Sequence, residues 1–307
     1  MLFIGGCNSF ASIRQAHTSN NLKRPLRILL VTTSYPLQEG NPSGIFVKRL
    51  ADALGRDDSL TVLTPASRAT LQHIAAPPTV VECFRYAPKS WQRLAHEPGG
   101  IPVALKQAPW LWLLVPAFLV SMTLSTLRHG RNADVIHANW AMPGLICGIV
   151  GKMLGKPVIT TLRGSDGSNL EHDVFKRSLI NLVFKLNARI VTVSAPMQAM
   201  LYRLFPEYGE HCLHIPNGVD SQFLALTLPT ATPQKLRLIS IGSLIPRKNV
   251  KSIITALQGL PATVTLTVVG EGPEQAALAR LTQELGLSQR VTFAGNVAPA
   301  NIPNALA

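Results

Sequence analysis

Short continuous apolar runs alternate along the chain with longer segments whose apolar positions recur every three or four residues. The run RILLV, from Arg27, passes into TTSYP and reads as a strand entering a turn. GIFVKRLADAL follows as a helix, with Ile45, Phe46, Leu50 and Leu54 on one stripe. SLTVLTP and VVECFRYAP read as two further strands. ADVIHAN, KPVITTLRG and ARIVTVSA each repeat the unit of buried strand followed by helix, and HCLHIPNG adds one more strand and a turn. Continuous apolar strands separated by helices imply a parallel sheet covered on both faces, with right-handed crossovers: an α/β, doubly wound domain over residues 25–224.

Residues 225–235, ALTLPTATPQK, lack periodicity and read as a linker. The cycle then restarts as strand LRLISIG, helix NVKSIITALQG, strand TVTLTVVG, helix PEQAALARLTQELG and strand RVTFAG. These elements amount to half of a second doubly wound domain, over residues 236–307, whose last strand would leave a sheet edge open. The expectation is therefore a partial second domain, from a fragment or a truncated reading frame. Residues 1–24 are polar, basic and aperiodic. LFIGGC resembles a lipoprotein cleavage box, but only six residues precede Cys7 and none is cationic, so the segment reads as a frayed or mis-started tail.

One segment fits two readings. Residues 109–127, PWLWLLVPAFLVSMTLSTL, run for 19 residues without a charge, enough for a membrane span by length. Pro116 near the middle, and Ser121, Thr123, Ser125 and Thr126 in the second half, favour instead a helix buried in the fold or lying on a membrane surface.

Composition narrows the function classes. Hydrophobic residues make up 47% of the 307 and charged residues only 15%, which describes a folding chain. The net charge of +13 favours an anionic partner. The cations form no dense run, and the aromatic residues (6%) do not alternate with them, so a nucleic-acid groove is not expected. Cys7, Cys83, Cys147 and Cys212 are widely spaced, which points to buried thiols in a reducing compartment and excludes a disulfide framework or zinc site.

In an open parallel sheet, ligands sit beyond the carboxyl ends of the strands, so each strand-end loop is a candidate. IGSLIPRKN places Arg247 and Lys248 between a strand and a helix N-terminus, where amides and dipole favour anions; both could equally be solvated turn residues. QEGNPSGIF carries Gly40 and Gly44, which would let backbone approach a phosphate, or simply form a turn. GEGPEQ (270–275) begins like a dinucleotide fingerprint, but Gln275 stands at the third glycine position, so it reads as structural. RGSD sets Arg163 and Asp166 at a strand end in a charge-poor chain and leans functional. His137 divides evenly between a hydrogen-bonded core histidine and an acceptor-pocket group. His211 and His214 would fall on opposite strand faces, which argues against a metal pair. Asn217, Gly218 and Asp220 in PNGVD read first as a turn and helix cap.

The order of these features is more specific than any one of them. YP and a Gly-containing loop, DVIHAN, VITTLRGSD, IVTVSAPM, IPNGVD, a linker, IGSLIPRKN, VVGEGPE and RVTFAG together resemble the GT-B fold glycosyltransferases of family 4, from about Arg27 onward. The resemblance implies two Rossmann-like domains facing each other, retention of anomeric configuration, a nucleotide-sugar donor on the second domain and an acceptor on the first. It implies no metal and no separate cofactor. It places the donor diphosphate near Gly44 and the segment Gly242, Ser243, Arg247 and Lys248, with Lys248 matching the family's lysine. It places His137, Arg163, Asp166, Asn217 and Gly218 around the substrate pocket. Ser243 stands where the family usually has arginine, and Arg163 where it often has histidine. The acidic motif with two glutamates falls beyond the last strand of this chain. The acceptor implied is a lipid-linked or polysaccharide substrate of cell-surface assembly, with the enzyme in the cytoplasm or peripheral on the inner face of an anionic plasma membrane. A non-catalytic acceptor- or lipid-binding remnant is the alternative.

Overall fold

The computed structural model describes residues 24–38, 44–68, 74–76, 79–96, 100–219, 221–224, 236–298 and 301–306. The tail to residue 23, Gly40, Asp220 and the linker 225–235 lie outside the described residues.

Eight strands build the first sheet: β1 (Arg27–Val31), β2 (Ser59–Pro65), β3 (Ile74–Ala76), β4 (Thr79–Phe84), β5 (Val135–Asn139), β6 (Val158–Leu162), β7 (Arg189–Thr192) and β8 (Cys212–His214). Their order is β3-β4-β2-β1-β5-β6-β7-β8. Every pairing is parallel except that of the short edge strand β3, which runs antiparallel to β4 and which the sequence pattern does not announce. Alternate residues of β1 show why its apolar run is continuous. Leu29 and Val31 enter one core with Phe84, Phe118, Met122 and Ile136, while Ile28 and Leu30 enter another with Val47, Ala51, Leu60 and Val62. Both faces are covered over Ile28–Val31, so only the exposed first position, Arg27, is polar.

Helix α1 (Ile45–Leu54) follows β1. It fully buries Val47 and Ala51, whereas the predicted stripe of Ile45, Phe46, Leu50 and Leu54 is only partly covered. The small residue at position 51 lets the helix lie close to the sheet, so the larger side chains flank the contact. Helix α2 (Ala141–Leu154) follows β5 and packs through Gly144, Gly148 and Gly151, where a Cβ would meet Thr160, Leu186 and Val158 at 2.6, 2.7 and 2.3 Å.

The uncharged segment forms a 3-10 turn, Pro109–Leu114, that runs into a helix, Val115–Gly130. By length and mean hydropathy (1.7) it could cross a membrane, but 28% of it is buried inside the fold. Phe118 packs edge-on against Phe84 and Tyr86, and Met122 and Thr126 are fully buried. The outward face is apolar. Leu113 is 80% exposed, Val120 57% and Leu124 60%. The half-buried Thr123 donates to the Leu119 carbonyl of its own helix at 2.8 Å.

The second sheet is parallel, in the order β11-β10-β9, with β9 at Arg237–Ile241, β10 at Thr265–Val269 and β11 at Val291–Gly295. Its core includes Leu244, Ile254, Leu266, Val268 and Leu278. The loops after β9 and β10 are stitched together. Leu244 N–H donates to Glu271 O and Glu274 N–H to Leu244 O, at 2.9 and 3.1 Å. A Cβ on Gly270 would lie 2.0 Å from Gly242 O, and one on Gly272 2.4 Å from Leu244 O. The GEGPEQ turn is therefore structural, as the sequence implied. Gly272→Ala is expected to lower stability by about 1–3 kcal/mol through backbone displacement, read by thermal unfolding; an unchanged midpoint would show that the two loops part freely.

Candidate active site

The strand order reverses direction at β1: successive strands β1, β2 and β4 proceed one way, and β5 onward the other. Such a switch point opens a crevice at the carboxyl ends of the two central strands. A cleft of about 790 Å³ lies there. Thr33, Ser34, Gly44 and Phe46 line it from the β1 side, Trp140 to Pro143 from the end of β5, and Arg163 to Asp166 from the end of β6. Val193 and Asn217 come from beyond β7 and β8, and Arg247 reaches in from the second sheet.

Arg163 organises this surface. It is 6% exposed. Its Nη2 donates to Asn139 Oδ1 at 2.6 Å and its Nη1 to Asn217 Oδ1 at 2.5 Å, while Cζ lies 4.6 Å from the centre of the Phe46 ring. Burial draws its pKa down to about 10, opposed by the charge of Asp166, so it remains a cation at neutral pH. Arg163 Nε and Asn139 Nδ2 are buried donors without a partner among the described residues. Asp166 serves the backbone: its carboxylate accepts the Arg163 N–H at 2.8 Å and the Ala141 N–H at 3.2 Å. Burial nevertheless lifts its pKa to about 6.

Trp140 links the two loops. Its φ of 72° and ψ of 159° fall in a region that is essentially glycine's, a local cost of about 1–3 kcal/mol. Its N–H donates to Thr161 O at 2.9 Å, its carbonyl accepts the Gly144 N–H at 3.0 Å, and its ring meets Phe46 edge-on at 6.0 Å. This turn brings the Ala141 amide to Asp166. Sequence reasoning missed Trp140, Phe46 and Asn139 as site residues. The available signal was position, since Asn139 and Trp140 sit at the end of a central strand.

The structure gathers Gly44, Arg163, Asp166, Asn217 and Arg247 into one cleft, and His137, Gly218, Gly242, Ser243 and Lys248 stand outside its lining. Gly44 is required by its turn: at φ 74°, a Cβ would lie 2.4 Å from Ser34 O. Arg247 and Lys248 share a 3-10 turn, in which adjacent side chains diverge; Arg247 faces the cleft, and the Lys248 Cε lies 3.7 Å from where a Gly242 Cβ would be. Both are exposed, and neither side chain has a hydrogen-bond or ion-pair partner among the described residues. His211 and His214 are exposed, and no group of three or more His, Cys, Asp or Glu that could hold a metal ion occurs among the described residues.

His137 belongs to the sheet. Its Nε2 is 2.8 Å from Thr161 Oγ1, and its pKa is pushed down to about 4, first by burial and then by the Arg163 charge. The native state thus holds it neutral while the unfolded chain protonates it near pH 6.5. Its contribution to stability is present above pH 6.5 and is lost as pH falls towards 4. We expect His137→Gln to flatten this decline, by up to about 2 kcal/mol at pH 5 relative to pH 7, in paired thermal melts. Parallel pH profiles would rule the histidine out as the titrating group.

A family model described as Glycosyltransferase Family 4 matches residues 43–223, and one described as Glycosyl transferases group 1 matches residues 230–307. Over 185 residues the chain is 25% identical to N-acetyl-alpha-D-glucosaminyl L-malate synthase of Bacillus anthracis, covering 56% of this chain and 48% of that protein. Over 69 residues it is 33% identical to a GDP-mannose-dependent alpha-(1-6)-phosphatidylinositol monomannoside mannosyltransferase of Mycobacterium tuberculosis, covering 22% of this chain and 18% of that protein. The chain thus spans less than half the length of either relative. In fold it is similar to Anabaena HepE in complex with UDP, with a TM-score of 0.63 at 19% identity, covering 91% of this chain and 71% of that one. It is likewise similar to sucrose-phosphate synthase from Thermosynechococcus elongatus, with a TM-score of 0.65 at 17% identity, covering 90% and 71%. With one family model matching more than half of its residues and GT-B glycosyltransferases among its structural neighbours, the chain belongs to glycosyltransferase family 4.

Proposed function

We propose that the cleft holds a nucleotide-sugar donor with its diphosphate between Gly44 and the Gly242–Lys248 segment, and that the sugar passes with retained configuration to an acceptor of cell-surface polysaccharide or glycolipid assembly. The observation that carries this reading is the meeting, in one cleft, of a buried cation from the first sheet and an unpaired cation from the second. Breaking a sugar–phosphate bond builds negative charge on the departing nucleotide, and fixed cations in a secluded site stabilise that charge. Arg247 is placed to meet it from the cleft side. Lys248, folded over Gly242 at the carboxyl end of β9, supplies a second charge through modest side-chain rotation. In this reading these side chains answer the developing charge without a metal ion. The unpartnered Arg163 Nε and Asn139 Nδ2 offer donors to sugar hydroxyls. That the structural neighbour HepE is described with UDP and with UDP-glucose supports a nucleotide-sugar donor here.

The apolar outer face of the 109–130 segment and the net charge of +13 support a peripheral site on the cytoplasmic leaflet. Two experiments test the proposal. Thermal shift with UDP-, GDP- and ADP-sugars is expected to single out one nucleotide; stabilisation by none would count against donor binding. Arg247→Ala and Lys248→Ala are each expected to lower kcat/KM by about 10²–10³ with little loss of stability, and a near-wild-type rate for both would remove the diphosphate assignment. Sedimentation with acidic liposomes, reversed by salt, checks the location.

A further inference from the structure

The cleft has two chemically different limbs. One carries Arg163, Asp166, Asn217 and Arg247; the other is bounded by Ile101, Pro102, Leu105, Trp112, Val115 and Leu119. Among those six side chains the only polar atom is the Trp112 indole N–H, and His96 is a further lining residue of the cleft. A wholly polar acceptor, such as a free sugar phosphate or a polysaccharide end, would leave this limb as water held against hydrocarbon. The wall itself is amphipathic in an unusual sense. The segment 109–130 buries Phe118 and Met122 in the core, turns Val115 and Leu119 to the cleft, and shows Leu113, Val120 and Leu124 to solvent. Trp91 and Trp110, in edge contact at 5.9 Å, are half exposed beside the same segment, and Lys89, Lys106 and Arg128 are exposed at its margins. Apolar side chains bordered by cations suit the boundary of an anionic leaflet. One helix would then separate the bilayer from the cleft.

We infer that the acceptor is amphiphilic: an anionic sugar- or phosphate-bearing head on a hydrocarbon chain. The head lies at Arg163 and Lys176, which both line the cleft, and the first part of the chain lies along Ile101, Leu105, Trp112 and Leu119. Charge complementarity selects the anionic head: the lining carries the cations Arg163, Lys176 and Arg247 against the single acid Asp166, so positive charge is left after Arg247 is assigned to the donor diphosphate. This inference rests on the transfer reading above and chooses among its acceptors.

Butyl phosphate and decyl phosphate, kept below the concentration at which the latter forms micelles, serve as probes in titration calorimetry. Each methylene taken from water into such a lining is worth about fourfold in affinity, so six further methylenes that are half covered give about 50-fold tighter binding of decyl phosphate. Trp112→Ser, at a position 61% exposed and therefore tolerant of change, and Ile101→Ser are expected to lose most of that gain. Both variants should keep the thermal shift given by the preferred nucleotide sugar, which also shows that they are folded. Equal affinities for the two phosphates, or a chain-length gain untouched by both substitutions, would overturn an amphiphilic acceptor while leaving donor binding intact. A chain-length gain without any nucleotide-sugar shift would support the apolar limb and instead defeat the transfer reading.

Discussion

A buried guanidinium sets the geometry of the cleft. Arg163 ends β6, yet its two terminal nitrogens are held by Asn139 at the end of β5 and by Asn217 beyond β8, and its plane faces the Phe46 ring on α1. Four segments distant in sequence are thereby fixed against one planar charge. A cation taken out of water is tolerated only when its donors are matched, and here the match is incomplete at Nε. The fold therefore leaves a buried donor to be satisfied by something that enters. Asp166, the nearest acid, is not spent on forming an ion pair with the side chain. It accepts two backbone amides and so anchors the loop from which Arg163 projects.

The strand ends can converge in this way because of topology. Chain order reverses at β1, so the loops after β1 and β5 diverge and leave room between them. Trp140 fills part of that room in a backbone conformation that costs energy, kept by hydrogen bonds to Thr161 and Gly144 and by contact with Phe46. Strain of this kind persists where surrounding structure over-determines it. Its effect is concrete: the first amide of α2 is aimed at Asp166, and an indole becomes a wall of the cleft.

Much of this architecture was legible in the sequence, and the reasons are physical. A strand buried on both faces leaves a continuous apolar run, and its end is punctuated by the residues that carry chemistry, so VITTLRGSD revealed both β6 and Arg163. The ordered set of strand-end motifs pointed to the family. Other features leave no such trace. The short strand β3 pairs antiparallel at an edge, where three residues give no period. The divergence of Arg247 from Lys248 depends on a 3-10 turn closed by Asn249 at φ 49°, which residue types alone do not specify. His137 looked equally suited to core and pocket because both demand a partly enclosed imidazole; its bond to Thr161 decides for the sheet. The 109–130 segment reads from sequence as a helix buried in the fold or lying on a membrane surface, and composition alone does not say that its outer face carries Leu113, Val120 and Leu124.

The distribution of charge then acquires a structural meaning. With 29 lysines and arginines against 16 acids, the chain cannot neutralise itself, yet it forms no basic run that would mark a nucleic-acid groove. Several of the few acids are occupied locally, away from the cleft. Asp134 holds Arg27 and Arg24 at the far end of β1, Asp52 pairs with Lys48, and Glu171 with Arg203. Arg247 and Lys248 are left over at the mouth between the two sheets. An excess of fixed positive charge near a partly dehydrated cavity focuses the field there and favours an anion over water. The same excess, spread over the margins of an apolar helix face, favours an acidic lipid surface. A chain of this composition can therefore use one imbalance at two scales, at the site where charge develops on a leaving group and on the face that would hold that site near its acceptor.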